Sequence, residues 1–147
     1  MAPKKRFELQ QVLSYRTEVE KLRSQEYAAA KHDLDAASTR LQQGQQEAEQ
    51  LAQEFCGRQQ EIDSIYEMQL YADFFARKRE ELKVQQERVA LLDRVLEGRR
   101  SDLLEASKEK KVMERLKDKQ NQAFRREQNH KDDLQLDEIA IQKSGQE

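Results

Sequence analysis

Proline is almost missing from this 147-residue chain, with Pro3 the only one. Glycine is nearly as scarce, at Gly44, Gly57, Gly98 and Gly145, and tryptophan is absent. Disordered chains are typically rich in proline and glycine, so this scarcity argues against disorder even though 38% of the residues are charged. Hydrophobic residues make up only 36%, against roughly 45–50% in an ordinary globular domain, which excludes a conventional packed core. No apolar run approaches the ~18 residues that a membrane-spanning helix needs, and no hydrophobic leader segment follows Met1–Arg6, so the expected compartment is the cytoplasm. Cys56 stands alone, which excludes an internal disulfide and a cysteine-based metal site. There is no glycine-rich phosphate loop, no HExxH and no GxSxG, and His32 and His130 lie far apart. No catalytic residue, cofactor or metal is therefore expected. A net charge of −2 supplies no basic field for nucleic acid.

What the chain does hold is a high content of Ala, Leu, Gln, Glu, Lys and Arg, the strongest helix formers. The pattern predicts two long helices. The first, at about 6–56, starts near Lys5 or Arg6. Its seam repeats every seven residues through Tyr27, Leu34, Leu41, Ala48 and Phe55, with Ala30, Ala37, Gly44 and Leu51 between them. Val12 and Val19 sit one place off that frame, which reads as a stutter near residues 19–26. A loop at about 57–64 follows, with Gly57 as a helix-ending residue and Ser64–Glu67 as a capping box. The second helix, at about 65–142, carries a seam of Met68, Phe75, Leu82, Val89, Leu96 and Leu103, interleaved with Tyr71, Lys78, Gln85, Leu92, Arg99, Ala106 and Met113.

The expected fold is all-α: an antiparallel coiled-coil hairpin forming one domain. Antiparallel pairing sets a-type against d-type positions. Residue pairs whose numbers sum to 126 satisfy this, such as Phe55–Tyr71, Gly44–Leu82 and Ala30–Leu96, and place small residues opposite large ones. A sum of 119 is the competing register. With 126, the second helix overhangs the first by about 20 residues, or roughly 30 Å, giving a rod with a hairpin tip and an unpaired helix at its other end.

Two stretches stand out as binding surfaces. Residues 108–131 hold nine basic side chains against four acidic ones, which suits an acidic partner. Together with the irregular start of the first helix, this gives an expected contact of Leu9, Val12, Leu13, Arg16, Lys110, Lys117, Lys119, Arg125 and Arg126. Near the hairpin turn, Phe55, Tyr66, Tyr71, Phe74 and Phe75 cluster, and Tyr66 and Phe74 fall off the seam. Exposed aromatics of this kind centre many protein interfaces; the alternative is that they wrap the hairpin end as a small packed cap.

Four segments, in order along nearly the whole chain, resemble the FliJ family of flagellar export proteins. They are Phe7 to Arg16 (FELQQVLSYR), Leu70 to Phe75 (LYADFF), Arg99 to Leu116 (RRSDLLEASKEKKVMERL) and Leu136 to Ala140 (LDEIA). The resemblance implies a non-enzymatic cytoplasmic component of the bacterial flagellar type III export apparatus. It implies a central-stalk-like activator of the export ATPase ring FliI, with its regulator FliH, that also escorts export chaperones and contacts the gate protein FlhA. It would reach the membrane only through those partners. By the same resemblance, the gate surface falls on Phe74, Lys78, Glu81 and Gln85, with Tyr66 beside them; two of these positions are apolar in the family's pattern and charged here. The alternatives are the stalk of a virulence type III system or of a V-type ATPase, or a coiled-coil spacer.

Overall fold

A computed structural model describes residues 7–145. Among them the only regular elements are two α-helices, α1 at Gln10–Arg58 and α2 at Ile65–Ser144, which pack against each other as a helical hairpin. The expected start at Lys5 or Arg6 lies outside the described residues. Phe7 to Leu9 form a turn in which Gln10 N–H donates to the Phe7 carbonyl at 3.0 Å, and buried Phe7 precedes the helix.

Gly57 does not cap α1. It lies inside the last helical turn, and no described residue has a positive φ. The helix ends instead with a tight turn, Glu61 N–H donating to the Arg58 carbonyl at 2.9 Å. The capping box at α2 is half made. Ser64 Oγ accepts the Tyr66 N–H at 3.2 Å. The Glu67 carboxylate, however, turns to the Arg58 guanidinium at 2.7 Å, so an ion pair across the loop replaces the second capping bond.

The chain divides into two compact units. In the unit Arg23–Leu103 the two helices run antiparallel in the register whose numbers sum to 126. Phe55 meets Tyr71 with ring centroids 5.1 Å apart and Phe75 edge-on at 5.8 Å. Ala30 and Leu96, buried to 7% and 8% exposure, fall level in this register. Gly44 is buried against α2. A Cβ there would lie 2.9 Å from Gln85 Oε1 and 3.0 Å from Leu82 Cδ2, so a larger residue would have to displace the tips of these two side chains. Gln85 Oε1 is buried there without a hydrogen-bond partner. Met68, expected to lead the second seam, is instead 46% exposed. It lies in the first turn of α2, where the register sets it level with Arg58 at the end of α1.

The other unit joins residues 7–22 to 104–145. Its helices are tied by polar pairs. Arg16 bridges to Glu109, Lys110 Nζ lies 3.3 Å from Glu20 Oε1, and Lys117 Nζ donates to Gln10 Oε1 at 2.9 Å. The expected stutter is absent from α1. Leu13 is buried, and Arg16, Glu20 and Arg23 are half-buried at the alternating three- and four-residue spacing that leads on to Tyr27 and Ala30. Charged residues occupy the seam there, while Leu22 is 52% exposed. Along α2 no residue from Asn129 to Gly145 is covered, so this part of the helix overhangs its partner.

Candidate partner-binding surfaces

In the unit of residues 7–22 and 104–145, the expected contact residues separate into two groups. Leu13 is buried, and Arg16, Lys110 and Lys117 are engaged across the helix pair. These four face the partner helix rather than solvent. Leu9 and Val12 remain about two-fifths exposed, at 43% and 38%, and Lys119, Arg125 and Arg126 are exposed.

The exposed cations have a direction that composition alone does not give. At 3.6 residues per turn, Lys108, Lys111, Arg115, Lys119 and Arg126 fall within an arc of about 80° on α2, opposite the seam residues Lys110, Met113 and Lys117. Among the described residues none of the five takes part in an ion pair or hydrogen bond. The result is a basic stripe whose charges have no counterpart among the described residues. Lys108, Lys111 and Arg115 belong to the basic stretch 108–131 but were not singled out by number among the expected contact residues. Their three- and four-residue spacing in the sequence is the signal that assigns them to one face.

In the unit Arg23–Leu103, the start of α2 exposes a run of large apolar side chains. Tyr66 is 70% exposed and Phe74 44%, and the Arg77 guanidinium carbon lies 6.0 Å from the centre of the Phe74 ring. Leu70, 49% exposed, lies between them on the same helix face and was not expected as a site residue. Lys78 behaves differently from its neighbours. Its side chain is largely covered, with Nζ 2.5 Å from Glu47 Oε2 and 3.6 Å from Glu81 Oε2. The Glu47 hydrogen bond, followed by its charge and that of Glu81, raises the Lys78 pKa above its ordinary value. A raised lysine pKa means the pair stabilises the fold at neutral pH and is lost only as pH climbs through the folded-state value. Glu81 is exposed, and Gln85 turns inward toward Gly44. Of the five expected gate residues, Tyr66, Phe74 and Glu81 thus face outward, whereas Lys78 and Gln85 belong to the seam.

A groove of about 590 Å³ flanks the same face, lined by Arg40 of α1 and by Arg77, Glu80, Glu81, Val84 and Arg88 of α2, among others. No cluster of His, Cys, Asp or Glu among the described residues could hold a metal ion, and none of their helices is long and apolar enough to cross a membrane.

The profile of the family described as flagellar FliJ protein matches residues 4–147. Neither the curated proteins nor the solved structures include a match.

Proposed function

The chain belongs to the FliJ family, components of flagellar type III export, and from that membership we propose that it activates the export ATPase without catalysing a reaction itself. In this reading it works as a central stalk in the FliI ring, alongside the regulator FliH. It also escorts export chaperones and contacts the gate protein FlhA. It acts in the cytoplasm, at the inner-membrane face of the flagellar base, held there by partners. The observation that carries the ATPase contact is the basic stripe of α2, a surface of one charge sign with no counterpart among the described residues.

Activation by such a stalk requires that it bind different ring conformations with different affinity, because a ligand with equal affinity for two states shifts neither. The direct test adds the purified chain to the purified export ATPase and follows ATP hydrolysis. The expected result is a saturable rise in rate. A rate unchanged at saturating concentrations, with the two proteins shown to be folded, overturns the reading.

The gate contact is assigned to Tyr66 and Phe74, because both are exposed aromatics off the seam. Burying such a ring contributes roughly 1.5–3 kcal/mol. Phe74→Ala is therefore expected to weaken gate binding about tenfold or more while shifting Tm by less than about 2 °C. A variant that melts several degrees lower and binds the gate normally would make Phe74 a packing residue.

A further inference from the structure

Within the unit Arg23–Leu103, α2 carries a second line of residues at alternating three- and four-residue spacing. From Leu70 to Val95, each member stands one position before a seam residue. Its apolar members are Leu70, Phe74, Val84, Leu91 and Val95, exposed to 49%, 44%, 56%, 55% and 40%. Its charged members are Arg77, Glu81 and Arg88. At 3.6 residues per turn the whole line fits within an arc of about 100°. Isolated exposed apolar residues need no explanation, but a continuous line at coiled-coil spacing is the signature of a helix with a partner. The α1 helix covers the neighbouring seam and leaves this line open.

The charges on the line decide what can cover it. A second copy packed antiparallel matches Leu70 with Val95 and Phe74 with Leu91 in its best apolar register, but that register sets Arg77 against Arg88 twice. A parallel second copy sets Arg77, Glu81 and Arg88 each against itself. Like charges directly opposed at a helix interface disfavour association. Glu81 is already compensated by Lys78 at 3.6 Å, whereas Arg77 and Arg88 are in no ion pair among the described residues. The adjoining groove holds three cations, Arg40, Arg77 and Arg88, against the two carboxylates Glu80 and Glu81.

We propose that this line is the docking surface for an acidic amphipathic helix of a partner protein, which lies along α2 as the third helix of a coiled coil. Its apolar residues cover Leu70, Phe74, Val84, Leu91 and Val95, and its carboxylates, eleven residues apart, meet Arg77 and Arg88. The surface shares Phe74 with the proposed gate contact, but it does not require the gate to be the partner. Val84, Leu91 and Val95 lie outside that contact and test the line separately.

The probe is a synthetic amphipathic peptide of about four heptads, with leucine on its apolar seam and glutamate at the two positions facing Arg77 and Arg88. Its twin carries lysine at those positions. Binding to the full chain is followed by fluorescence anisotropy. The glutamate peptide is expected to bind at least about tenfold tighter than its twin. Leu91→Asp and Val84→Asp are each expected to remove about tenfold of that binding with helicity unchanged, and Arg77→Glu with Arg88→Glu is expected to invert the preference. Equal binding of the two peptides, or full binding by the aspartate variants, overturns the proposal. Self-association of the chain that Leu91→Asp abolishes would also overturn it, in favour of a second copy. Because Phe74→Ala is measured against the gate and Leu91→Asp against the peptide, failure of one leaves the other standing.

Discussion

Leu96→Ala is expected to lower the stability of the protein by about 2–4 kcal/mol, within the usual range for a buried leucine, and to lower Tm by roughly 5–15 °C. Leu96 is among the most buried side chains, at 8% exposure, and falls level with Ala30, itself 7% exposed. Two features push the effect up. The seam is only one layer deep, and its other wall here is a methyl group, so truncation leaves no larger side chain to fill the gap. One feature limits it: an edge of the layer is open to water, and water entering the gap removes part of the cavity penalty. The contrast is Val95→Ala, one residue away on the same helix. Val95 is 40% exposed on the open line, and alanine is the better helix former, so that change should alter Tm by less than about 2 °C. Chemical denaturation of both variants checks the pair. In the competing register, with numbers summing to 119, Leu96 would lie against Arg23 rather than Ala30. A wild-type melting curve for Leu96→Ala would therefore contradict the helix pairing itself.

The seam of α2 could be read from the sequence because its polar members keep step. Lys78, Gln85 and Arg99 stand at three- and four-residue spacing among large apolar residues, so the repeat survives them. In α1 the same device hid the frame. Arg16, Glu20 and Arg23 take three successive seam positions, and apolar periodicity finds nothing there and suggests a stutter. Two of their partners, Glu109 and Lys110, lie some 90 residues away along the chain, and no local pattern indicates which charges will meet. Half-buried pairs of this kind add little net stability, yet they let a charged seam pass as a solvent face. The mistake at Gly57 has a similar origin. Glycine permits a left-handed cap without requiring one, and here Arg58 extends the helix one residue further, where it pairs with Glu67 and donates to the Tyr71 hydroxyl at 3.0 Å. Among the candidate contacts, Tyr66 and Phe74 were legible because they break the seam's spacing. Lys78 and Gln85 were legible as seam positions by the same spacing; only the family resemblance set them on the gate surface, and their contacts with Glu47 and Gly44 on the facing helix take them off it.

Reversing three charges of the basic stripe, Arg115→Glu, Lys119→Glu and Arg126→Glu, is expected to abolish stimulation of the export ATPase at physiological salt. All three are exposed, lie on one face of α2 and form no ion pair among the described residues. Glutamate has a helix propensity close to that of arginine and lysine, so helicity and Tm should stay near those of the wild type. An exposed charge pair is worth about 0.2–1 kcal/mol. Reversal removes three such attractions and replaces each with a repulsion, a change of roughly 3 kcal/mol or about a hundredfold in affinity. The wild-type interaction should weaken as salt rises, since the Debye length falls from about 8 Å at 0.15 M to about 3 Å at 1 M. Lys110→Glu is the necessary control, because Lys110 sits within the helix pair beside Glu20. It should lower stability through two opposed carboxylates, and any loss of stimulation it causes should be recovered by the swap Glu20→Lys with Lys110→Glu. If the triple variant stimulates the ATPase as well as the wild type does, the basic stripe is not the contact. If the swapped pair fails to recover what Lys110→Glu loses, then Lys110 meets the ATPase directly, and the helix pair opens when the ATPase binds.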